Sequence, residues 1–368
     1  MKPSVVGLLL AVGALCALGA VMLLSSMVEA AHLGRFQQHL CWLGLGLVGG
    51  CGGFFLPWDK LRQHDAPAWL LALAFGALFL VLVPGVGTRH GGARRWLGHT
   101  QPSEFAKIVL VIFLADYAAR RQSAMGKLGA GLVVPGAIAA SLACLVVAEP
   151  DWGTACLLGA VALAMLAVGG CKPRYFVPAV VVMAGFVLLS IHFNSLRAER
   201  VQAWLHPERY REGVGWQGWQ SILALSGGHF FGVAPGGGRQ KLGFVPESQT
   251  DFILTLVGEE MGLAGTWSVL LLFAVIVYFG MKIAWRARDP FRQFLAFGLT
   301  FLIGLQAFIN IAVVCGVLPN KGIPLPFVSY GGSGTVCLLV AVGMIAGAGR
   351  TVSAVQRAVD EGDRDEPA

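Results

Sequence analysis

Long apolar runs separated by short polar connections occupy most of this 368-residue chain. A run of about 20 apolar residues, coiled as an α-helix, crosses the hydrocarbon core of a bilayer. With 56% hydrophobic and only 13% charged residues, the chain has too little charge to cover a soluble protein. Ten runs are long enough to span a membrane: 4–28, 38–56, 67–85, 102–119, 130–148, 153–170, 173–193, 259–284, 292–317 and 333–349. The sequence therefore predicts an all-α integral membrane protein with ten transmembrane helices, one domain over residues 1–358 and a disordered tail at 359–368.

The distribution of basic residues predicts the orientation of these spans. An even number of spans places both termini on the same side of the membrane. Lys and Arg concentrate on the connections of that side, for example at Arg120 and Arg121, so the positive-inside rule places both termini in the cytoplasm. The connection after the third span lies on the opposite side yet carries Arg89, Arg94 and Arg95. Three arginines on this side indicate an anionic ligand.

The connection between the seventh and eighth spans, at 194–258, is about 65 residues long. It is rich in apolar residues, Trp and Gly, which is not the composition of a disordered segment. We expect it to be a large extracytoplasmic loop that packs on the membrane surface through short amphipathic helices, such as 216–225. Loops of this length are usually functional.

Two groups of ionisable residues flank the fourth and sixth spans. In QPSEFAKI, Pro102 begins a helix, and Glu104 and Lys107 are three residues apart on one face, where they can pair. The alternative is a purely structural pair. The guanidinium groups of GGARRW just upstream favour phosphate oxygens. In EPDWGT, Glu149 and Asp151 form the second group, and Asp151 is either a site residue or the cap of the following helix.

The eighth span is preceded by a third acidic group, in PESQTDFILTLVGEEMG. Thr250 and Asp251 stand at the predicted helix start. Glu259, eight residues after Asp251, shares its face, whereas Glu260 points away. The alternative for Thr250 or Asp251 is a helix N-cap. Three acidic residues beside the start of an apolar span are, however, more than one cap requires.

The segment NKGIPLPFVSYGGSG at 320–334 cannot form a regular helix, because prolines and glycines interrupt it. Irregular backbone at membrane depth is tolerated where it lines a wet cavity or is buried in protein. Lys321 and Ser329 would supply donors there. A plain re-entrant turn is the alternative.

Several other enzyme classes are excluded by missing motifs. The histidines show no H-E-x-x-H spacing and the chain has no G-x-x-x-x-G-K-[ST] motif, which argues against a zinc hydrolase and against nucleotide-driven transport. The cysteines form no C-x-x-C pair that would indicate a zinc site.

These groups together resemble the SEDS family of bacterial cell-wall proteins, which comprises FtsW, RodA and SpoVE. The matching stretches are GARRWLGHTQPSEFAKIVLVIFLA (92–115), EPDWGTACLL (149–158), GVGWQGWQSILALSGGHFFGV (213–233), QKLGFVPESQTDFILTLVGEEMGLAG (240–265) and NIAVVCGVLPNKGIPLPFVSYGGSG (310–334). Within the family, Q-G-W-Q-S-I, Q-K-L and L-P-N-K-G look more like the division branch than the elongation branch.

The resemblance implies ten transmembrane helices with a large extracytoplasmic loop between helices 7 and 8, in the bacterial cytoplasmic membrane. It implies a peptidoglycan glycosyltransferase that polymerises lipid II, working with a class B penicillin-binding protein, a transpeptidase, among other divisome or elongasome proteins. The essential acid of the family's T-D-F-I motif falls on Asp251. The other functionally sensitive positions of the family fall on Arg94, Arg95, Glu104, Lys107, Asp151, Glu259, Lys321 and Ser329.

The corresponding mechanism has Asp251 as general base on the acceptor hydroxyl. Arg94, Arg95 and Lys107, with or without a divalent cation such as Mg²⁺ or Mn²⁺, would offset charge on the pyrophosphate leaving group. Neither a nucleotide nor a nucleic acid is expected. Two rival functions remain: a lipid II flippase or transporter, and a non-catalytic scaffold that activates the transpeptidase.

Overall fold

The computed structural model describes residues 2–26, 33–90, 93–234, 236–238 and 249–362. Within these residues the chain is almost entirely helical, with one short antiparallel hairpin in which Arg89 pairs with Arg94. The elements are α1 (Pro3–Ser25), α2 (Leu33–Phe55), α3 (Trp58–Gln63), α4 (Ala66–Leu82), β1 (Thr88–His90), β2 (Ala93–Trp96), α5 (Pro102–Arg120), α6 (Val134–Ala148), α7 (Trp152–Val168), α8 (Pro173–His192), α9 (Ser195–Leu205), α10 (Trp216–Gly227), α11 (Ile253–Arg286), α12 (Pro290–Val314) and α13 (Gly332–Gly362).

Helix starts follow local sequence signals. Proline occupies the first or second position of several helices, where its fixed φ suits the first turn and its missing N–H leaves no bond unmade. The backbone N–H of Arg292 donates to the Asp289 carboxylate at 3.1 Å, which caps α12, and Asn194 caps α9 in the same way.

The apolar helices have the dimensions of membrane spans. Each of the ten predicted runs coincides with one long helix, namely α1, α2, α4, α5, α6, α7, α8, α11, α12 or α13. Six helical stretches in the described residues are long and apolar enough to cross a membrane, and α4 and α7 are shorter apolar helices. Large apolar side chains cover the outside, including Val182 and Leu188 at 72% and 66% exposure. Such a surface is stable in lipid and not in water, so the chain is a multi-pass membrane protein, while the count of ten spans stays a prediction.

The core of the bundle is formed around α5, whose side chains are almost all buried against α4, α7 and α12. A second close contact joins α2 to α13, where glycines of α2 lie against the α13 backbone. A Cβ on Gly50 would come within 2.9 Å of the Leu339 carbonyl oxygen. Small residues at this contact let the two helix backbones approach without a void.

The connection between α8 and α11 contains α9 and α10, and α10 confirms the helix predicted at 216–225. The helix that contains the predicted span 259–284 begins earlier, at Ile253, and is broken at Gly262, which has φ 66°. The break has a tertiary cause, because the N–H groups of Leu263 and Ala264 donate to the carbonyls of His229 and Phe230. Residues 253–261 therefore form a helical segment that is separate from the rest of α11.

The predicted disordered tail stays a prediction. The backbone of α13 reaches Gly362, and residues 363–368 lie outside the described residues.

Candidate active site

Asp251 lies half-buried two residues before the start of α11. The N-cap position of α11 is Phe252, whose side chain makes no capping hydrogen bond. The alternative that Asp251 occupies the N-cap position is therefore wrong. Because α11 begins only at Ile253, the helical spacing expected between Asp251 and Glu259 does not hold either.

Hydrogen bonds from Asn310 and Ser329 fix the backbone around Asp251 and tie it to the irregular segment. Asn310, from α12, donates through Nδ2 to the carbonyl oxygens of Asp251 and Ile323, both at 2.7 Å. The Ser329 hydroxyl donates to the Thr250 carbonyl at 2.6 Å. The interrupted segment 320–331 is thus tied directly to the acid, and Ser329 is among the predicted residues that the structure brings to it.

The irregular segment also touches the Asp251 side chain itself. A Cβ built on Gly322 would lie 2.7 Å from Asp251 Oδ2, which is closer than van der Waals contact allows. Lys321, the preceding residue, is half-buried. Next to it, Asn320 donates to Gln217 Oε1 of α10 at 2.7 Å, which ties the same segment to the long connection.

The predicted pair of Glu104 and Lys107 is present in α5 and is almost fully buried. Lys107 Nζ lies 2.9 Å from the Glu104 carboxylate and also donates to Gln306 Oε1 at 2.9 Å. Gln306 in turn donates to the Pro324 carbonyl at 3.0 Å. The two charges of the pair therefore neutralise each other, and the pair is linked to the irregular segment through Gln306.

Asp151 caps α7, as its alternative interpretation predicted. Its carboxylate accepts the N–H of Thr154 at 3.1 Å and the Thr154 hydroxyl at 2.9 Å. It also accepts a hydrogen bond from Gln101 Nε2 at 3.3 Å, and the Gln101 backbone N–H donates to Ser333 Oγ. Asp151 thus joins the start of α7 to Gln101, which directly precedes α5. Through Gln101 it is also linked to Ser333 in the first turn of α13.

The two arginines of the hairpin differ in their contacts. Arg95 donates through its guanidinium to the carbonyl oxygens of Glu149 and Pro150, so it holds the turn between α6 and α7. Arg94 Nε is buried and makes no hydrogen bond within the described part of the chain.

Glu149, the other acid of the EPDWGT group, is buried in the structure. Neither of its carboxylate oxygens has a hydrogen-bond donor among the described residues, and its side chain is fully buried. Burial is the largest cause that raises the pKa of Glu149 from its usual 4.5 to about 8; nearby Asp151 adds to the rise and Arg95 opposes it. Glu149 is therefore a neutral acid at neutral pH.

Glu259 and Glu260 form a different cluster. A Cβ on Gly238 would lie 2.8 Å from Glu259 Oε2 and 3.0 Å from Glu260 Oε1, so both carboxylates face this glycine. Glu260 also accepts a hydrogen bond from the Ser25 hydroxyl of α1. The expectation that Glu260 points away from Glu259 is wrong, because both carboxylates face Gly238, and Glu260 is 2% exposed.

Two residues that hold the site, Gln306 and Asn310, were missed by motif reasoning. They are four residues apart on one face of α12, inside an otherwise apolar helix, and both are buried. Polar side chains in that position usually have a function, so the sequence did carry a signal.

A bound cation finds little support in the donor set. The described residues bring together no group of three or more His, Cys, Asp or Glu side chains that could hold a metal ion. We therefore assign no step to a cation, and its presence stays a prediction.

Comparisons with known proteins agree with this architecture. The sequence model of the FtsW/RodA/SpoVE family, described as cell cycle protein, matches residues 5–353. A relative from Trichlorobacter lovleyi, named probable peptidoglycan glycosyltransferase FtsW, is 38% identical over 348 residues, covering 92% of this chain and 91% of the relative. A protein of the same name from Geobacter metallireducens is 36% identical over 349 residues, with 92% of each chain covered.

Two solved structures share the fold. One is a chain of a peptidoglycan synthase complex, with a TM-score of 0.79, 26% identity and coverage of 94% of this chain and 97% of that chain. The other is the rod shape determining protein RodA of Thermus thermophilus, with a TM-score of 0.67, 23% identity and coverage of 94% and 96%. The family prediction, including its closer likeness to FtsW, is confirmed. The chain belongs to the FtsW/RodA/SpoVE family.

Proposed function

We propose that this chain is a peptidoglycan glycosyltransferase of the FtsW type, which polymerises lipid II with Asp251 as general base. The predicted activity class agrees with the names of its relatives. The observation that carries the role of Asp251 is its fixation: Asn310 and Ser329 hold the backbone on both sides of it, and Gly322 contacts its carboxylate. A general base needs such a defined position.

In the reaction, the acceptor sugar hydroxyl attacks the anomeric carbon of the donor. Its proton passes to the Asp251 carboxylate as the new glycosidic bond forms. The bond from the anomeric carbon to the pyrophosphate breaks, and the pyrophosphate leaves with the bonding electron pair. Arg94 and Lys321, which lies beside Gly322, are the cations we assign to that leaving group.

The remaining site residues act by positioning. Lys107 is engaged by Glu104 and Gln306, and the Arg95 guanidinium by two backbone carbonyls. Asp151 caps α7. Their side chains hold the irregular segment and the connections around it, so their roles in substrate binding are indirect. Glu259, in its own cluster at Gly238, has no assigned step.

A ten-span topology with both termini cytoplasmic accompanies this proposal, and two sets of contacts support it. The connections predicted outside meet one another: Arg95 contacts residues 149–150, and Ser329 contacts Thr250. The connections predicted inside meet at other residues, where Arg62 pairs with Asp116 and Asp289. Such segregation is expected when successive helices cross a bilayer in alternating directions. The 194–258 connection would then lie outside the cytoplasmic membrane.

We further propose a class B penicillin-binding protein as partner. The likeness to a chain of a peptidoglycan synthase complex supports this choice, because that assembly couples polymerization and crosslinking. Association with other divisome or elongasome proteins is part of the same proposal.

The activity is tested with purified protein in detergent, lipid II as substrate and the cognate transpeptidase added or omitted. Glycan polymer in detergent supports the enzyme, because no bilayer exists there to transport across. A flippase would make no polymer in detergent and would move lipid II across vesicle membranes. A scaffold would make no polymer in detergent, whether the transpeptidase is added or omitted, and would not move lipid II across vesicle membranes.

A further inference from the structure

A cleft lies between α9, α10 and the C-terminal end of α12, outside the site described above. Its lining includes Arg200, Trp204, Trp219, Phe252 and Asn320, and it encloses about 70 Å³. Because one water needs roughly 10–15 Å³ by this measure, several waters fit, or part of one sugar ring with a substituent.

The cleft shares two lining residues with the Asp251 site. Phe252 follows Asp251 directly and is 2% exposed at the base of the cleft. Asn320 lies two residues before Gly322, whose backbone contacts the Asp251 carboxylate. A ligand held in the cleft would therefore extend naturally toward the general base.

The lining has the composition of a carbohydrate site. Two indoles offer flat apolar faces, and the guanidinium of Arg200 and the amide of Asn320 offer polar groups that can meet hydroxyl and acetamido groups. The Asn320 amide is held in place, since its Nδ2 donates to Gln217 Oε1 at 2.7 Å. In such a site, a small number of polar groups fix the orientation of the ligand, and the aromatic faces add to its affinity.

Membrane anchoring is the ordinary use of tryptophan in a loop at the bilayer surface, and the geometry here differs from it. An anchoring indole turns its N–H toward water or lipid headgroups. Trp204 instead donates its Nε1–H inward to the Gly316 carbonyl at 2.9 Å. Trp219 lies under the guanidinium of Arg211, 4.6 Å from the ring centroid, which fixes that ring too. Both rings are preorganised walls of the cleft.

We infer that this cleft receives part of one N-acetylated sugar ring of a glycan next to Asp251. The inference rests on the proposed function, because that reaction brings such rings to Asp251. The ring has two possible sources, the lipid-linked disaccharide that enters and the strand that grows.

Binding is tested directly with chitotetraose, a soluble chain of four N-acetylglucosamine units, by saturation-transfer NMR on the full-length Asp251→Asn protein in detergent. We expect the Asp251→Asn protein to bind chitotetraose. Its affinity should fall about tenfold when Trp219→Ala is added, and likewise with Arg200→Gln, which changes an exposed side chain. Trp69→Ala, at a tryptophan 74% exposed on α4, is the matched control and should bind as its parent does. Absence of binding, or equal binding by the Trp219 and Trp69 variants, overturns the inference.

Activity separates the two sources and separates this inference from the proposed function. A raised KM for lipid II in Arg200→Gln identifies the incoming disaccharide, and shorter product strands at unchanged KM identify the growing strand. If both quantities stay at wild-type values, the inference is overturned even though Asp251→Asn is inactive. If Asp251→Asn polymerises normally while Trp219→Ala loses chitotetraose, the cleft stands and the proposed role of Asp251 falls.

Discussion

The carboxylate of Asp251 lies directly against the backbone of Gly322, and this contact leaves no room for a side chain. A Cβ at Gly322 would come within 2.7 Å of Asp251 Oδ2. Gly322→Ala should therefore displace the carboxylate and lower the polymerisation rate by about 10²-fold, the typical effect of a misplacement of about 1 Å. The rate of polymer formation from lipid II measures this.

Gly331→Ala is the matched control in the same segment. The nearest atom to a Cβ at Gly331 is Thr335 Oγ1 at 3.6 Å, an ordinary contact. Equal rates for the two alanine variants would show that the Asp251–Gly322 contact does not position the acid.

Asn310 is predicted to position Asp251 without touching substrate. Asn310→Leu removes both donors to the Asp251 and Ile323 carbonyls. Leaving a buried carbonyl without its donor costs about 1–3 kcal/mol, so we expect a lower melting temperature and a fall in kcat of about 10²-fold.

Phe308→Leu, two residues away on the same helix and 62% exposed, should change neither the melting temperature nor kcat. A kcat for Asn310→Leu that matches Phe308→Leu would contradict the positioning role.

The buried pair of Glu104 and Lys107 should behave as one unit. Lys107→Met leaves the Glu104 carboxylate without its cation and should destabilise the protein by about 3–5 kcal/mol. The double variant Glu104→Gln with Lys107→Met removes both charges and should recover most of that loss. Thermal unfolding in detergent measures both, and additive effects of the two substitutions would contradict the coupling.

Glu149 should make stability depend on pH. Its pKa is about 8 in the folded protein, against its usual 4.5, so the folded state binds more protons between these values. Stability contributed by neutral Glu149 is therefore complete below pH 4.5 and is lost as pH rises toward and through 8.

Glu149→Gln removes this ionisation and should stabilise the protein at pH 8.5 by about 1–3 kcal/mol, with little difference near pH 5. Melting temperatures of both proteins across this range provide the comparison. A difference that does not grow with pH would show that Glu149 is already ionised in the folded state.

Local features of the site were predictable from the sequence, because they depend on spacing along one helix. Glu104 and Lys107 pair because they are three residues apart in α5, and Asp151 caps α7 because it directly precedes that helix. The apolar runs likewise marked each long helix through their length and composition.

Contacts between distant segments were not predictable in this way. Asn310 reaches Asp251 across 59 residues of chain, and no local pattern encodes that meeting. The break in α11 at Gly262 arises because residues 229–230 take over hydrogen bonds that a regular helix would make. Glu260 is buried for a similar reason, since Ser25 comes from the first helix.

The most direct test of the central claim is the rate at which purified Asp251→Asn, with its transpeptidase partner, converts lipid II into glycan polymer. Asp65→Asn, at an exposed aspartate whose side chain is 67% exposed, is the control for the same chemical change. We predict that Asp65→Asn polymerises at the wild-type rate and that Asp251→Asn is slower by at least about 10²–10⁴-fold while it unfolds at the same temperature. Polymer formation by Asp251→Asn at a near wild-type rate would contradict the assignment of Asp251 as the general base.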